Sequence, residues 1–172
     1  MDTAPRSVLL ARPLTAEAFA PFGTVISAEG LSGRPINAGT TMRFDVIPDL
    51  QLTLDGGTPL LAIYRASARE FPLPLVEFER HARGSQIFVP MAGTRFVVVV
   101  ARGNAAPSAK VLRAFTVEGT QGVVLAPGTW HHGLIARDAG DFVVLERGAP
   151  AGEPVDCDVV QLEAPVELAL PD

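Results

Sequence analysis

The sequence predicts an all-β domain, either a sandwich or a barrel. Downstream of Pro48, short runs rich in Val, Leu and Ile recur at close intervals. Glycine-containing turns separate them: Asp55-Gly56-Gly57, Arg83-Gly84, Ala92-Gly93, Gly103-Asn104, Glu118-Gly119 and Ala139-Gly140. Only one stretch carries convincing helix signals, and many short strands with so little helix indicate a sandwich or barrel.

Taken in order, Val8-Leu9-Leu10 reads as an opening strand. A helix follows, with Thr15 as N-cap and with Leu14 and Phe19 at the two positions of a hydrophobic staple. Pro21 and Gly23 end it, and Thr24-Val25-Ile26 is the next strand. From Ala28 to Thr41 the chain turns to Gly, Ser, Pro and Asn, the composition of a loop. Within and just after it, Asn37 and Arg43 either serve turn and surface or reach a site or a partner subunit. Strands are then expected at Gln51 to Leu54, Leu60 to Arg65, Leu75 to His81, Gln86 to Val89 and Phe96 to Ala101. More are expected at Val111 to Val117, Val123 to Leu125, His131 to Ile135, Phe142 to Arg147 and Val155 to Leu162. Val97 to Val100 is apolar on both faces, as a central strand would be. No repeat or second domain is visible, so residues 1–172 are expected to form a single domain.

Composition narrows the function classes. The formal charge is −5 and the basic residues are scattered, which disfavours nucleic acid and anionic membranes as partners. Apolar runs fall well short of the roughly 20 residues that span a bilayer. Met1 to Arg6 lacks the apolar core of a secretion signal, and the single cysteine allows no intrachain disulfide. A cytoplasmic protein is therefore expected. Cys157 lies between Asp156 and Asp158, whose charges oppose thiolate formation, so it reads as packing rather than nucleophile. The only lysine, Lys110, stands in a loop-like stretch, which disfavours a buried Schiff base. Serine-hydrolase elbows, P-loops and dinucleotide fingerprints are absent.

The polar residues gather in two stretches. In Glu79 to Pro90, Glu79, His81 and Gln86 fall close together; in Ala126 to His132 stand two of the three histidines. On a strand from Leu75 to His81, Glu77, Glu79 and His81 share one face, while Val76, Phe78 and Arg80 share the other. That polar face lines a cavity or forms the wet side of a half-exposed sheet. His131 and His132 are adjacent, so on a strand only one of them points inward. Trp130 is either pocket wall or core.

The spacing of Glu79, His81, Gln86 and Gly93 resembles the first motif of the cupin superfamily, with Glu and Gln in place of its usual first His and Glu. Pro127, Thr129 and His132 resemble the second motif, with Thr in place of its glycine. From about Leu14 to Val159 the resemblance narrows to the ureidoglycolate lyase family, also described as ureidoglycolate hydrolase. It is carried by Leu14 to Phe19 with Phe22-Gly23, Ile36-Asn37, Glu77 to His81, Gln86 to Met91, Leu112 to Phe115, Trp130-His131-His132 and Cys157-Asp158.

The resemblance implies a cupin-type double-stranded β-helix barrel with one or two short helices, usually a homodimer. It implies cleavage of (S)-ureidoglycolate to glyoxylate and urea, in allantoin and purine breakdown, and an association with nickel. The cupin spacing selects His132 as the inward histidine. A divalent metal, Ni2+ among the candidates, would sit at His81, His132 and Glu79, with Gln86 as a fourth contact. A carboxylate and an amide are poorer ligands for a soft ion than imidazoles. The alternative is a metal-free pocket in which Glu79, His81 and His132 do the acid–base work. Gln86, Trp130 and an arginine among Arg65, Arg80 and Arg113 are the substrate contacts this implies, the arginine gripping a carboxylate. Two other functions stay open at this point: a cupin dioxygenase or isomerase, and a sensor that binds a small acid without turnover.

Overall fold

Two apolar-faced sheets pack together, and the functional side chains sit where their strand ends converge. The structure, a computed structural model, describes residues 7–47 and 49–171. Residues 1–6, read above for a secretion signal, lie outside the described residues, as do Pro48, which heads the strand series, and Asp172.

The chain opens with β1 (Ser7–Leu10) and the short β2 (Arg12–Pro13), then α1 (Ala16–Phe19) and β3 (Gly23–Ile26). A separate hairpin of β4 (Arg34–Ile36) and β5 (Thr41–Arg43) precedes β6 (Thr58–Ala66) and β7 (Leu73–Arg80). Next come β8 (Gln86–Pro90), β9 (Gly93–Ala101), β10 (Arg113–Gly119) and β11 (Gly122–Leu125). The short β12 (Trp130–His131) and β13 (Ile135–Ala136) lead to β14 (Gly140–Gly148) and β15 (Asp158–Ala169). One sheet runs β1-β15-β7-β12-β9-β10-β2, with β13 also on β9; the other runs β3-β11-β8-β14-β6. Together they form the nearly closed, cupin-type barrel that the resemblance implies.

Alternation along β9 explains why its apolar run is unbroken. Phe96, Val98 and Val100 face the other sheet, against Phe88, Val123, Leu125, Phe142 and Val144. Val97, Val99 and Ala101 point the opposite way, into a second cluster with Leu75, Phe78, Trp130, Ile135 and Leu168. The helix plugs the first cluster. Thr15 caps it by accepting from the Ala18 N–H at 3.2 Å, and Phe19, fully buried, meets the Phe115 ring edge-on at 5.7 Å. Leu14 belongs to the same cluster, as the staple requires. Among the described residues no helix is long and apolar enough to cross a membrane.

Several elements differ from the sequence reading. Gln51 to Leu54 is not a strand: its ladder reduces to one bond from the Ser85 N–H to the Gln51 carbonyl, and a 3-10 turn at Leu54–Gly56 follows. The 28–41 loop contains the β4–β5 hairpin, turned by Asn37, Ala38 and Gly39, all with positive φ. The strand expected from Val111 begins only at Arg113, after a 3-10 turn at Ala109–Val111. His131 to Ile135 breaks into β12 and β13 around Gly133. The last strand starts at Asp158 and continues to Ala169, past Pro165. It does so because its pairing with β7 shifts register between Gln161 and Val166, the kind of irregularity that tolerates a residue without an N–H.

Candidate active site

The two polar stretches do meet. Gly128, at φ +79°, donates its N–H to the His81 carbonyl at 2.7 Å, docking the 126–129 turn onto the end of β7. The Thr129 hydroxyl donates to the Phe22 carbonyl at 2.9 Å, fixing the far side of that turn. This bond gives a use to the threonine that stands where the cupin motif has glycine.

Cross-strand register then selects the histidine. His131 lies opposite Glu79 on β7 and opposite Val100 on β9, and Val100 faces the barrel interior. The side chain brought to the site is therefore His131, which is 1% exposed, and not His132. His132 takes the other face, where its ring stands edge-on to Phe78 at 5.9 Å and its Nδ1 donates to the Gly133 carbonyl at 2.8 Å. Burial is the main cause that holds its pKa below the ordinary histidine value. Motif spacing counts residues along one chain, and the facing strand decides which of two neighbours turns inward.

The imidazoles of His81 and His131 share one arrangement. His81 Nδ1 lies 2.6 Å from the Asp156 carbonyl, and His131 Nδ1 lies 3.0 Å from the Thr129 carbonyl. A carbonyl only accepts, so each ring carries a proton on Nδ1, and in the neutral ring Nε2 is then a bare lone pair. Among the described residues, both Nε2 atoms are buried without a hydrogen-bond partner, as is Gln86 Oε1. His131 Nε2 does lie 3.3 Å from Glu79 Oε1, but without the alignment of a hydrogen bond. When Nε2 of His131 carries a proton, this contact is the main cause that lowers the Glu79 carboxyl from the usual carboxylate range, against burial, which raises it.

One ligand atom each from Glu79, His81 and His131 fall within 4.8 Å of one another, so these three residues form a group able to hold a metal ion. Imidazoles whose second nitrogen is tied to a backbone carbonyl are the usual form of metal-binding histidine, because the tie fixes tautomer and ring orientation. Unpartnered buried acceptors are otherwise costly, and a divalent cation held by Glu79, His81 and His131 would satisfy both imidazoles. The residues present fit such an ion.

Around this group stand Gln86, which the sequence singled out, and Glu146 and Tyr64, which it did not. Gln86, 4% exposed, donates through Nε2 to Glu146 Oε2 at 2.8 Å. Glu146 continues the inward face of Phe142 and Val144, a period-two signal that was legible in the sequence. Burial, then the charges of Glu146 and Glu79, raise the pKa of Tyr64. The Cys157 thiol sits 3.7 Å from Glu79 Oε2, not in packing remote from the site. Burial and the nearby carboxylates push it up to about 11, so it stays a thiol.

The remaining expected contacts lie elsewhere. Arg65 alternates with inward Tyr64, points outward, and forms a two-point pair with Asp141 at 2.8 and 2.9 Å. Arg80 faces the second core, bonded to Asp158 at 2.8 Å and stacked 4.6 Å over the Trp130 ring. Trp130 is core rather than pocket wall: it is buried beside His131 on the opposite face and donates to the Gly103 carbonyl at 3.1 Å. Arg113 donates to the carbonyls of Lys110 and Leu112. Glu77 is exposed, where it accepts from Gln161 at 2.6 Å.

A family model described as ureidoglycolate lyase matches residues 6–169. A ureidoglycolate lyase of Burkholderia cepacia is 47% identical over 159 residues, covering 91% of this chain and 87% of that protein. One from Pseudomonas savastanoi pv. phaseolicola is 41% identical over 151 residues, covering 87% of each chain. Another, from Burkholderia mallei, is 45% identical over 137 residues, covering 79% of this chain and 80% of that protein.

Proposed function

The chain belongs to the ureidoglycolate lyase family and is a lyase, and we propose that it cleaves (S)-ureidoglycolate to glyoxylate and urea. The observation that carries the site reading is the pair of buried, unpartnered Nε2 atoms of His81 and His131 beside the Glu79 carboxylate. In this reading Glu79, His81 and His131 hold a divalent cation, with Gln86 Oε1 as the further contact. Imidazole ligands suit nickel, the ion the family resemblance implies.

Ureidoglycolate carries a hydroxyl, a carboxylate and a urea nitrogen on one carbon. Its cleavage needs a base for the hydroxyl proton and an acid for the departing nitrogen. When bound, the cation supplies Lewis-acid chemistry, countering negative charge on the substrate's carboxylate and hydroxyl oxygens. Glu146, a carboxylate outside the Glu79–His81–His131 group, takes the hydroxyl proton. Gln86 holds it in place through the 2.8 Å bond from Nε2. Tyr64, kept protonated by burial and by the carboxylates around it, gives a proton to the nitrogen. Glyoxylate and urea should therefore appear in equal amounts from racemic ureidoglycolate, with only one enantiomer consumed. Ammonia released in step with glyoxylate, with no urease present, would overturn the lyase assignment in favour of amide hydrolysis.

The working unit is a homodimer in this reading, and β6 supports it. Among the described residues it is the outer strand of its sheet and pairs only with β14, yet Leu60, Leu61 and Ile63 are 49%, 68% and 56% exposed. A long apolar edge of this kind invites a second strand or a second copy. Light scattering at micromolar concentration should give twice the chain mass, and the pair Leu61→Glu and Ile63→Glu should give monomer. A wild-type monomer at that concentration would remove the dimer from the reading. The single cysteine supports a cytoplasmic location.

A further inference from the structure

We propose that Asp156 is the positioning residue of the site, setting the place and the tautomer of His81. The proposal rests on the metal-site reading above and deepens it. His81 follows the last residue of β7; the Gly128 N–H holds its carbonyl, but the orientation of its ring needs another source. The segment Asp156-Cys157-Asp158 lies along that strand end and meets it residue by residue. The Asp158 carboxylate accepts from Arg80 at 2.8 Å, and the Cys157 thiol reaches Glu79 at 3.7 Å. Asp156 makes the densest set. Its two carboxylate oxygens accept from the N–H groups of Ala82 at 3.0 Å and Arg83 at 2.8 Å, while its own carbonyl takes the His81 Nδ1 proton at 2.6 Å.

The three bonds work together. Charge-assisted bonds to two successive N–H groups clamp the turn that follows His81. That clamp brings the Asp156 carbonyl within reach of the ring. With Nδ1 committed to the carbonyl, Nε2 of the neutral ring is left bare and aimed at Glu79 and His131, the form a metal ion requires. Without the carboxylate, the carbonyl is no longer held against the ring, and His81 is free to turn and to move its proton to Nε2.

Because the chain has only three histidines, nitrogen-15 NMR of the imidazoles reads the tautomers directly in metal-free protein at mildly alkaline pH. Wild type should show His81 protonated on Nδ1. Asp156→Ala should shift His81 toward the Nε2–H form and leave His131, tied to Thr129, unchanged. Ni2+ affinity, titrated against a competing chelator, should fall about 10- to 100-fold, the usual effect of losing a group that orients a ligand. Asp156→Asn keeps one accepting oxygen and should fall between wild type and Asp156→Ala; it also serves if the alanine variant does not fold. His81 carrying its proton on Nε2 in wild type, or an unchanged tautomer and Ni2+ affinity in both variants, would overturn the proposal. A tautomer that depends on Asp156 in a protein that binds no Ni2+ would support the positioning role and remove the metal reading instead.

Discussion

Replacing His131 with alanine is expected to lower turnover at least about a hundredfold, while His132→Ala lowers it no more than a few-fold. The two residues are neighbours in sequence and alike in chemistry, so the contrast tests the register of β12 against β7. His131 supplies a buried Nε2 that stands 3.3 Å from the Glu79 carboxylate; His132 touches Phe78 and its own turn. Losing a group that takes part in the reaction typically costs a factor of 10² or more. Stability must be followed in parallel, because removing His131 leaves Glu79 half-buried without its partner. The decisive readouts are kcat and Ni2+ affinity in variants that melt cooperatively. A larger loss in His132→Ala than in His131→Ala would place the wrong ring in the barrel.

Stripping divalent ions is expected to abolish turnover, and Ni2+ or Mn2+ is expected to restore it. The expectation stems from the Nε2 atoms of His81 and His131 and from Gln86 Oε1, which no group among the described residues satisfies. Binding should also be visible without substrate. An ion at a hundred times its dissociation constant stabilises the fold by about 2.7 kcal/mol. For a domain of this length that corresponds to a rise in Tm of roughly 5 to 11 °C. The rise should vanish in Glu79→Ala. Protein shown to be metal-free by elemental analysis, yet fully active, would favour a pocket in which Glu79, His81 and His131 act through protons alone.

Much of the architecture was legible because it rests on local signals. The Thr15 cap, the two-faced apolar run of β9 and the turn glycines are each written within a few residues. Glu79, His81 and Gln86 were legible because motif spacing and strand alternation act within one stretch. What escaped depends on partners distant in sequence. The inward histidine is set by the β12 pairing with β7 and β9, and the outward turn of Arg80 by the Trp130 ring and Asp158. Cys157 reads as filler until β15 is laid beside β7, which puts its thiol on Glu79. Gln51 to Leu54 alternates like a strand, but alternation cannot supply the neighbour that a ladder needs.

The pairing of β12 between β7 and β9 has a consequence for how the protein is made. Glu79 and His131 come from well-separated parts of the chain, and the segment that orients His81 lies further on still. Contacts of such long range form late, after the loop-closure entropy of the intervening strands has been overcome. A chain emerging from the ribosome carries Glu79 and His81 close together but lacks the third ligand, because β12 has no seat until β7 and β9 are in place. Capture of the proposed ion would then report that folding is complete, and its release should track global unfolding rather than local fraying.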